Sequence, residues 1–114
     1  MTSSSDCIFC NIVKGYIPAS IIEQNDSVIV IKDLHPKVPT HYLIIPKIHI
    51  KDVSSLDETN AHVMRDIALM AKKISHEKLN DAAFRLIINN GSGVGQSVFH
   101  LHCHFLSGKK MTDF

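Results

Sequence analysis

The sequence predicts an α+β fold, in which helices cover an antiparallel sheet of five strands. Three observations predict it: five short apolar runs rich in β-branched residues, one long segment with apolar residues at helical spacing, and turn residues between neighbouring runs. The predicted order is a short helix, three strands, the long helix and two strands. Because strands and helices do not alternate one by one, an antiparallel sheet is expected.

The first half of the chain is predicted to hold a short helix and a meander of three strands. Residues 1–6 are expected to form a flexible tail. Asp6 is expected to cap a helix that runs to about Lys14 and ends at Gly15. Two prolines make 34–40 a loop. The three strands, of which the first two form a hairpin, are expected at 21–24, 28–33 and 41–46.

The second half is predicted to hold the long helix and two more strands. After a connection over 47–56, the helix is expected over 57–79, capped by Asp57 or Ser55. Its apolar stripe is formed by Met64, Ile67, Ala68, Ala71 and Ile74. The last three elements are expected to be a strand, a glycine-rich loop and a strand, at 83–89, 90–97 and 100–107.

Composition limits the class of protein. With 114 residues, 45% hydrophobic and 20% charged, the chain is expected to form one globular domain over 1–114. A net charge of +1 gives no excess of positive charge that would indicate binding to nucleic acid or to an acidic membrane surface. The eight histidines are many for this length, and they direct attention to imidazole chemistry.

Cysteine usage and the N-terminus favour a cytoplasmic protein. Three cysteines, two of them in a C-x-x-C pair, do not resemble a disulfide framework. The polar start "MTSSSD" lacks the apolar region of a secretory signal. No apolar run approaches membrane-spanning length. A reducing cytoplasm and no membrane contact are therefore expected.

The segment "HLHCH" carries three histidines at every second residue. In a strand this spacing puts His100, His102 and His104 on one face, with neighbouring rings roughly 7 Å apart. Such a row suits either a metal site or catalysis by imidazole. The alternative is a strand with one polar face in water, for which Lys, Thr or Glu would serve better. The opposite face would carry Phe99, Leu101, Cys103 and Phe105.

A glycine-rich loop, "NGSGVGQS", directly precedes the histidines. Glycines allow backbone N–H groups to approach an anion closely, so the loop could cradle a phosphate. Ser97 and Asn89 would add polar side chains at its two ends. The alternative is an ordinary connection between two strands.

The pair Cys7 and Cys10 is the third constellation. C-x-x-C at the start of a helix is half of a common zinc site, and His49 and one of the three clustered histidines are candidates for the missing half. Alternatively the two cysteines are small buried residues, since free cysteine often is. A redox motif would be expected to follow a strand in a βαβ unit, which is not seen. Cys103 is expected to face the core.

Together these residues resemble the histidine-triad (HIT) family. Its signature alternates three histidines with apolar residues, and "HLHCHFL" (100–106) fits every position. The resemblance runs from about Cys7 to Met111, through "CIFCNIVKGYIPASII", "PTHYLIIPK" and "GQSVFH". These segments look like the Hint-like branch, the purine nucleoside phosphoramidases. The resemblance implies a five-stranded antiparallel sheet with two helices, and a homodimer whose sheets join into one of ten strands through the long helix and the fourth strand.

The resemblance also implies a reaction. His102 would attack the α-phosphorus of a purine nucleoside 5′-phosphoramidate, such as adenosine 5′-monophosphoramidate, and form a covalent nucleotidyl-histidine. Water would then release the nucleoside monophosphate. His41 would complete the histidine network behind the nucleophile. The phosphate and the leaving nitrogen would be held by the side chains or N–H groups of Asn89, Gly95, Gln96, Ser97 and His104.

Further residues are carried over from the family in the same way. Asp33 would accept hydrogen bonds from the ribose hydroxyls of an AMP or GMP derivative. An apolar slot for the base would be lined by Ile8, Phe9, Ile12, Ile31 and Leu43. A structural zinc ion would be bound by Cys7, Cys10, His49 and His100.

The chain departs from the pattern at its C-terminus, where "GKKMTDF" replaces an aromatic residue followed by a Pro-Pro-Gly-like tail. That departure bears on the specificity for the leaving group.

Two other functions stay open from the sequence. One is another HIT reaction, cleavage of dinucleoside polyphosphates or nucleotidyl transfer, and the other is a non-catalytic nucleotide-binding scaffold.

Overall fold

Two helices and five strands follow one another in the predicted order in the computed structural model, which describes residues 6–112. The helices are α1 (Ile8–Val13) and α2 (His62–Lys78). The strands are β1 (Ile21–Gln24), β2 (Val28–Lys32), β3 (Thr40–Pro46), β4 (Phe84–Ile87) and β5 (Cys103–Ser107). Apart from Asp6, the predicted tail lies outside the described residues.

The strands form one antiparallel sheet in the order β1-β2-β3-β5-β4. The predicted α+β fold and the hairpin of β1 and β2 are confirmed. The connection from β3 to β4 carries α2 across one face of the sheet, so β5 returns between β3 and β4. Strands β1 and β4 are the two edges.

Strand alternation divides the core into two layers, because successive side chains point to opposite faces of the sheet. Helix α1 packs on one face, against Ile29, Ile31, Leu43 and Ile45. Helix α2 packs on the other face, against Val28, Val30, Ile44, Cys103 and Phe105. The prediction that Cys103 faces the core is confirmed. His104, whose side chain points away from those of Cys103 and Phe105 on β5, therefore lies on the α1 side.

Helix α2 is shorter than predicted and buries a different stripe. Ile67, Ala71 and Ile74 are buried as expected, but Ala68 is exposed and Met64 only half-buried, whereas Met70 is buried. The predicted start at 57 is wrong, because the Asp57 carboxylate accepts N–H bonds from the next turn, which precedes the helix. No helix within residues 6–112 is long and apolar enough to cross a bilayer.

Strand β5 begins at Cys103, and the prediction that it begins at 100 is wrong. The preceding residues bond to the last residue of β3 and to the segment after it instead of continuing the ladder. His100 Nε2 lies 2.8 Å from the carbonyl of Pro46, and the Leu101 N–H donates to the carbonyl of Ile50 at 2.6 Å. These contacts draw the first two histidines toward α1.

Helix α1 is capped by Cys7, and not by Asp6 as predicted. The Cys7 side chain accepts the N–H of Cys10 with a distance of 3.3 Å between Sγ and N. A thiol sulfur therefore takes the place that a carboxylate or hydroxyl oxygen usually takes. The helix ends where predicted, with Gly15 at a φ of 81°, a backbone conformation that glycine adopts without strain.

Candidate active site and candidate metal centre

Only His104 of the three clustered histidines lies in β5; His100 and His102 precede the strand and contact α1 on the same side of the sheet. His104 pairs with Leu43 of β3, which belongs to the α1 layer. The Phe9 ring contacts the rings of His100 and His102 edge-on, at centroid distances of 5.8 and 5.1 Å. The rings of His102 and His104 are 5.3 Å apart. The sheet and helix α1 thus hold the three imidazoles in a row.

A main-chain carbonyl selects the tautomer of a neutral His102 ring. Its Nδ1 lies 2.8 Å from the carbonyl oxygen of His100. Because a carbonyl can only accept, Nδ1 must carry the proton, and Nε2 of the neutral ring keeps its lone pair. This is the form in which an imidazole acts as a nucleophile.

Asp33, His41 and His104 form a second network. The N–H of Lys37 donates to Nδ1 of His41 at 3.0 Å, so the proton of a neutral His41 ring is on Nε2. That nitrogen lies 2.9 Å from His104 Nδ1 and 3.4 Å from an Asp33 carboxylate oxygen. His104 Nδ1 is therefore an acceptor, and its own proton is on Nε2, available for a further partner.

Both rings of this network are held neutral. Burial, and then the neighbouring His102 and His41, lower the pKa of His104 to about 4, against the opposing effect of Asp33. Burial also lowers the pKa of His41, against the opposing effect of Asp33. At pH 7 each ring therefore carries one proton, in agreement with the hydrogen bonds.

The glycine-rich loop is closed by Gln96. This side chain is only 3% exposed; its Oε1 accepts the N–H of Gly91 at 2.7 Å and its Nε2 donates to the carbonyl of Lys51 at 2.9 Å. The N–H groups of Gln96 and Gly95 bond to carbonyls within the loop. Gln96 thus shapes the loop, and the expected contacts of this loop with a phosphate stay a prediction.

Two cavities flank the row of histidines. One, of about 320 Å³, brings Asn89 together with Asp33, His41 and His104. The other, of about 400 Å³, is lined by Ser97, Ile8, Lys51 and Phe99 beside two of the metal-ligand candidates, Cys7 and His49. Asn89 and Ser97, predicted to act together, therefore line different cavities.

The residues predicted to line a base slot lie in and around the α1 layer. Ile8 is 45% exposed, and Phe9 reaches the edge of His102. The other three members are buried with Phe9 in one apolar cluster: Ile12, Ile31 and Leu43. Their contact with a base stays a prediction.

The four predicted metal ligands converge. Their ligand atoms, from Cys7, Cys10, His49 and His100, all lie within 4.8 Å of one another. Nδ1 of His100 is 3.3 Å from the Cys7 sulfur and 3.5 Å from the Cys10 sulfur, and Nδ1 of His49 is 3.3 Å from the Cys10 sulfur. Nε2–H of His100 donates a hydrogen bond to the carbonyl of Pro46, so Nδ1 of the same ring is free to bind a metal.

The donor set fits a tetrahedral zinc ion. Ordinary Zn–S and Zn–N bonds would separate sulfur from nitrogen by roughly 3.6 Å, close to the distances found. Burial, and then the neighbouring Cys7, raises the pKa of the Cys10 thiol to about 11, and burial lowers the pKa of His100 to about 4. A bound divalent cation would reverse this preference of the thiol and stabilise the thiolate.

The cluster of Asp33, His41 and His104 also brings three possible ligand atoms within 4.8 Å of one another. It does not suit a metal, however. Because the Lys37 N–H occupies Nδ1 of His41, the proton of the neutral ring occupies Nε2, the atom that would have to bind the ion. Within residues 6–112, the cysteine-containing cluster is therefore the better candidate for a metal.

Comparison with known proteins shows the family. Residues 6–114 match the family model described as "Scavenger mRNA decapping enzyme C-term binding". An uncharacterised HIT-like protein of Synechocystis is 38% identical, with 93% of each chain covered, and one of Buchnera aphidicola is 37% identical, with 94% of this chain and 95% of its own covered. The chain belongs to the histidine-triad (HIT) family.

Solved structures agree in fold. A histidine triad protein from Clostridium difficile matches with a TM-score of 0.92 and 37% identity, covering 100% of this chain and 99% of its own. A HIT family hydrolase from Legionella pneumophila matches with 0.87 and 38%, covering 93% and 96%. A zinc-bound histidine triad family protein from Mycobacterium smegmatis matches with 0.80 and 28%, covering 97% and 81%. The likeness supports a hydrolase-type enzyme of the HIT family.

A main-chain carbonyl was expected to hold one ring nitrogen of His102, and the carbonyl of His100 does so. Sequence reasoning missed the two main-chain groups that orient the other rings, the N–H of Lys37 and the carbonyl of Pro46. No side-chain pattern encodes them. The one available signal was the proline loop over 34–40, which turns the chain so that Lys37 reaches back to His41.

Proposed function

We propose that the protein hydrolyses the P–N bond of purine nucleoside 5′-phosphoramidates, such as adenosine 5′-monophosphoramidate, as a Hint-like enzyme. The observation that carries the proposal is the contact of 2.8 Å between Nδ1 of His102 and the carbonyl of His100. In the neutral ring this contact places the proton on Nδ1 and leaves the lone pair of Nε2 free, beside His104, a ring with an N–H to donate. A nucleophile and a hydrogen-bond donor thus lie side by side, as attack on a phosphate requires.

The reaction has two steps. Nε2 of His102 attacks the α-phosphorus and a P–N bond to the ring forms, while the P–N bond to the amine breaks and the amine takes up a proton from solvent. Water then attacks the same phosphorus, the P–N bond to His102 breaks, the nucleoside monophosphate leaves and one proton returns to solvent. Over the two steps one water molecule is consumed, and its oxygen ends on phosphorus.

The neighbouring groups hold the phosphate through both steps. His104, neutral and donating from Nε2, stabilises the negative charge on a phosphoryl oxygen. Asn89, which lines the same cavity as His104, adds an amide donor. Ser97 and the glycine-rich loop approach from the other side, with the Ser97 hydroxyl near the leaving nitrogen. His41 acts through His104, by keeping its Nδ1 in the accepting state.

The nucleoside is held at the two ends of the α1 layer. The carboxylate of Asp33 accepts hydrogen bonds from the ribose hydroxyls, for which a carboxylate is suited. Its position is held by the N–H of His35, 2.7 Å from one carboxylate oxygen. Exposed Ile8 and the edge of Phe9 contact the base. Apolar contacts of this kind select a nucleobase without separating adenine from guanine.

A structural zinc ion completes the proposal, bound by Cys7, Cys10, His49 and His100. The zinc-bound relative from Mycobacterium smegmatis supports it. Bound zinc would supply a closed four-ligand link between α1 and the segment before β5, and no chemistry at phosphorus. His102 and His104 are outside this ligand set and stay available for the reaction.

A homodimer is proposed from the exposed edge of the sheet. Phe84, Leu86 and Ile87 of β4 are 36–39% exposed, and an edge strand presents unpaired backbone groups. Pairing of β4 with β4 of a second copy would join the sheets into one of ten strands. Leu69 on α2, 56% exposed, would be covered by the same partner.

The proposed function is tested by steady-state hydrolysis of adenosine 5′-phosphoramidate by wild type and by His102→Ala. Turnover should be lost in the variant while AMP still binds. His62→Ala, which removes an exposed histidine of α2, is the matched control and should retain full activity. Turnover retained in His102→Ala would refute the role of His102. Faster cleavage of a dinucleoside tetraphosphate would indicate the other HIT reaction instead.

A further inference from the structure

Four cationic side chains gather next to the candidate active site. They line two adjoining cavities near Met111, and we call them the basic patch: Lys37, Arg85, Lys109 and Lys110. None of them has a carboxylate oxygen within 4.0 Å among residues 6–112. Because the whole chain carries a net charge of only +1, four positive charges with no acidic partner among the described residues are a local concentration.

The basic patch lies on the same face of the sheet as His104. Ile87 of β4 pairs with His104 and Arg85 pairs with Leu106. Residues two apart in a strand point to the same face, roughly 7 Å from each other. The Arg85 side chain therefore extends from the catalytic face, one step along β4 from the position opposite His104.

Lys37 connects the two regions. It lines the cavity of about 320 Å³ that holds Asp33, His41 and His104. It also lines the neighbouring cavity, of about 360 Å³, that holds Arg85, Lys109 and Lys110. A ligand group that extends beyond Asp33 on this side meets Lys37 first and then the rest of the basic patch.

We propose that the basic patch binds a second phosphate, carried on the 2′ or 3′ oxygen of the ribose. This rests on the proposed function, in which Asp33 accepts hydrogen bonds from that ribose. When one ribose hydroxyl donates a hydrogen bond to Asp33, a phosphate on the other ribose oxygen would extend away from the carboxylate and toward Lys37. Arg85 offers a planar pair of donors, and the lysines offer point charges, the usual protein partners of a phosphate.

The substrate class that follows is a nucleoside 5′-phosphoramidate with an additional phosphate on its ribose. The basic patch acts on binding alone, since none of its side chains is placed at His102. We therefore expect it to lower KM for such substrates and to leave kcat unchanged. Its attraction for the phosphate should weaken as salt is raised, because exposed charges are screened.

The test measures binding by calorimetry, with adenosine 3′,5′-bisphosphate, adenosine 2′,5′-bisphosphate and AMP as the probes. Wild type is compared with the double variant Lys109→Gln/Lys110→Gln and with Arg85→Gln. The control is Lys72→Gln/Lys78→Gln, which removes two exposed charges from α2. In wild type and control, one bisphosphate should bind at least about tenfold more tightly than AMP, or about 1.4 kcal/mol. In the patch variants that preference should fall to about twofold or less, with AMP binding unchanged.

The outcomes separate this inference from the proposed function. If AMP binds and neither bisphosphate binds more tightly, the second phosphate site is refuted and the proposed function stands. A preference that survives in both patch variants likewise refutes the role of these side chains. If AMP does not bind at all, the nucleotide function fails and the second site fails with it. Which bisphosphate is preferred identifies the ribose oxygen that carries the phosphate.

Discussion

Three histidines of the same chemistry are placed in different states by the groups around them. His100 donates from Nε2 to the carbonyl of Pro46, which frees Nδ1. His102 donates from Nδ1, which frees Nε2. His104 accepts at Nδ1 from His41. The segment that leads into β5 brings the rings together beside α1, and their hydrogen-bond partners decide whether each is suited to bind a metal, to attack or to donate.

Replacing His41 by alanine tests the network behind His104. The variant leaves Nδ1 of His104 without its donor, so the ring can change tautomer and lose its donor on Nε2. We expect kcat for adenosine 5′-phosphoramidate to fall about tenfold, as loss of roughly 1.4 kcal/mol from one hydrogen bond would give. His41→Gln, which retains a donor, should recover part of the activity. Unchanged kcat in His41→Ala would contradict the role of this residue; the control is His62→Ala, which removes an exposed imidazole on α2 away from this network.

The low pKa of His104 makes the folded state sensitive to acid. Its pKa is about 4 in the folded protein, against an ordinary value of 6.5. Between these values the unfolded chain binds more protons, so the stability contribution is present above pH 6.5 and is lost as the pH falls toward 4. In His104→Gln, the free energy of unfolding by urea should depend less on pH between 7 and 5 than in wild type. Equal dependence in both proteins would show that His104 does not titrate with this shift.

At the scale of elements, the spacing of apolar residues and the turn residues between them predicted the helices and strands, but not where each begins and ends. Strands β1 and β3 follow the apolar runs closely. Strand β5 starts three residues late because His100 and Leu101 bond to a distant segment, which no local pattern encodes. The buried stripe of α2 includes Met70 in place of Ala68, because the side chains of the sheet that the helix packs on decide which helical positions are covered.

For the candidate site, the metal ligands were predicted correctly as a group, whereas the arrangement of the phosphate-binding residues was not. The family resemblance named the four cysteine and histidine ligands, and the structure brings their atoms together. It also named Ser97 and Asn89 as partners, which line separate cavities. The sequence shows a glutamine at position 96, but the burial of its side chain and its contacts with Gly91 and Lys51 follow only from the fold.

The link between α1 and the segment before β5 can be tested by removing one metal ligand. Cys10→Ser should lower the bound zinc from about one ion per chain to well below one, and should lower Tm, since a structural zinc site contributes to folding. Zinc content by mass spectrometry and Tm by calorimetry measure both effects. The control is Cys103→Ala, which removes a buried thiol on the other side of the sheet. Wild-type protein that takes up no zinc, with Tm unmoved by a chelator, would contradict the proposed centre.

At the scale of the whole molecule, the two helices cover the faces of the sheet and leave β4 as an exposed apolar edge. Leu86 lies in the middle of this edge, 38% exposed. Leu86→Arg should convert a dimer of about twice 12.7 kDa into a monomer, because the new charge would be buried at the junction. Analytical ultracentrifugation measures the mass. Leu34→Arg, at a position 89% exposed in the loop after β2, should stay dimeric.

A monomeric wild type at micromolar concentration would refute the ten-stranded arrangement. A dimer that survives Leu86→Arg would mean that another surface holds the two copies together. Either result would leave the contacts of His102 and His104 unchanged, since these lie within one chain.

The nucleophilic role of His102 is tested most directly by trapping the nucleotide on the enzyme. Wild type is mixed with adenosine 5′-phosphoramidate, quenched in alkali to preserve a P–N bond to histidine, and digested for mass spectrometry of the peptide that contains "HLHCHFL". We predict one adenylate group on His102 in wild type and none in His102→Ala. Turnover with an adenylate on another residue, or continued turnover in His102→Ala, would contradict it.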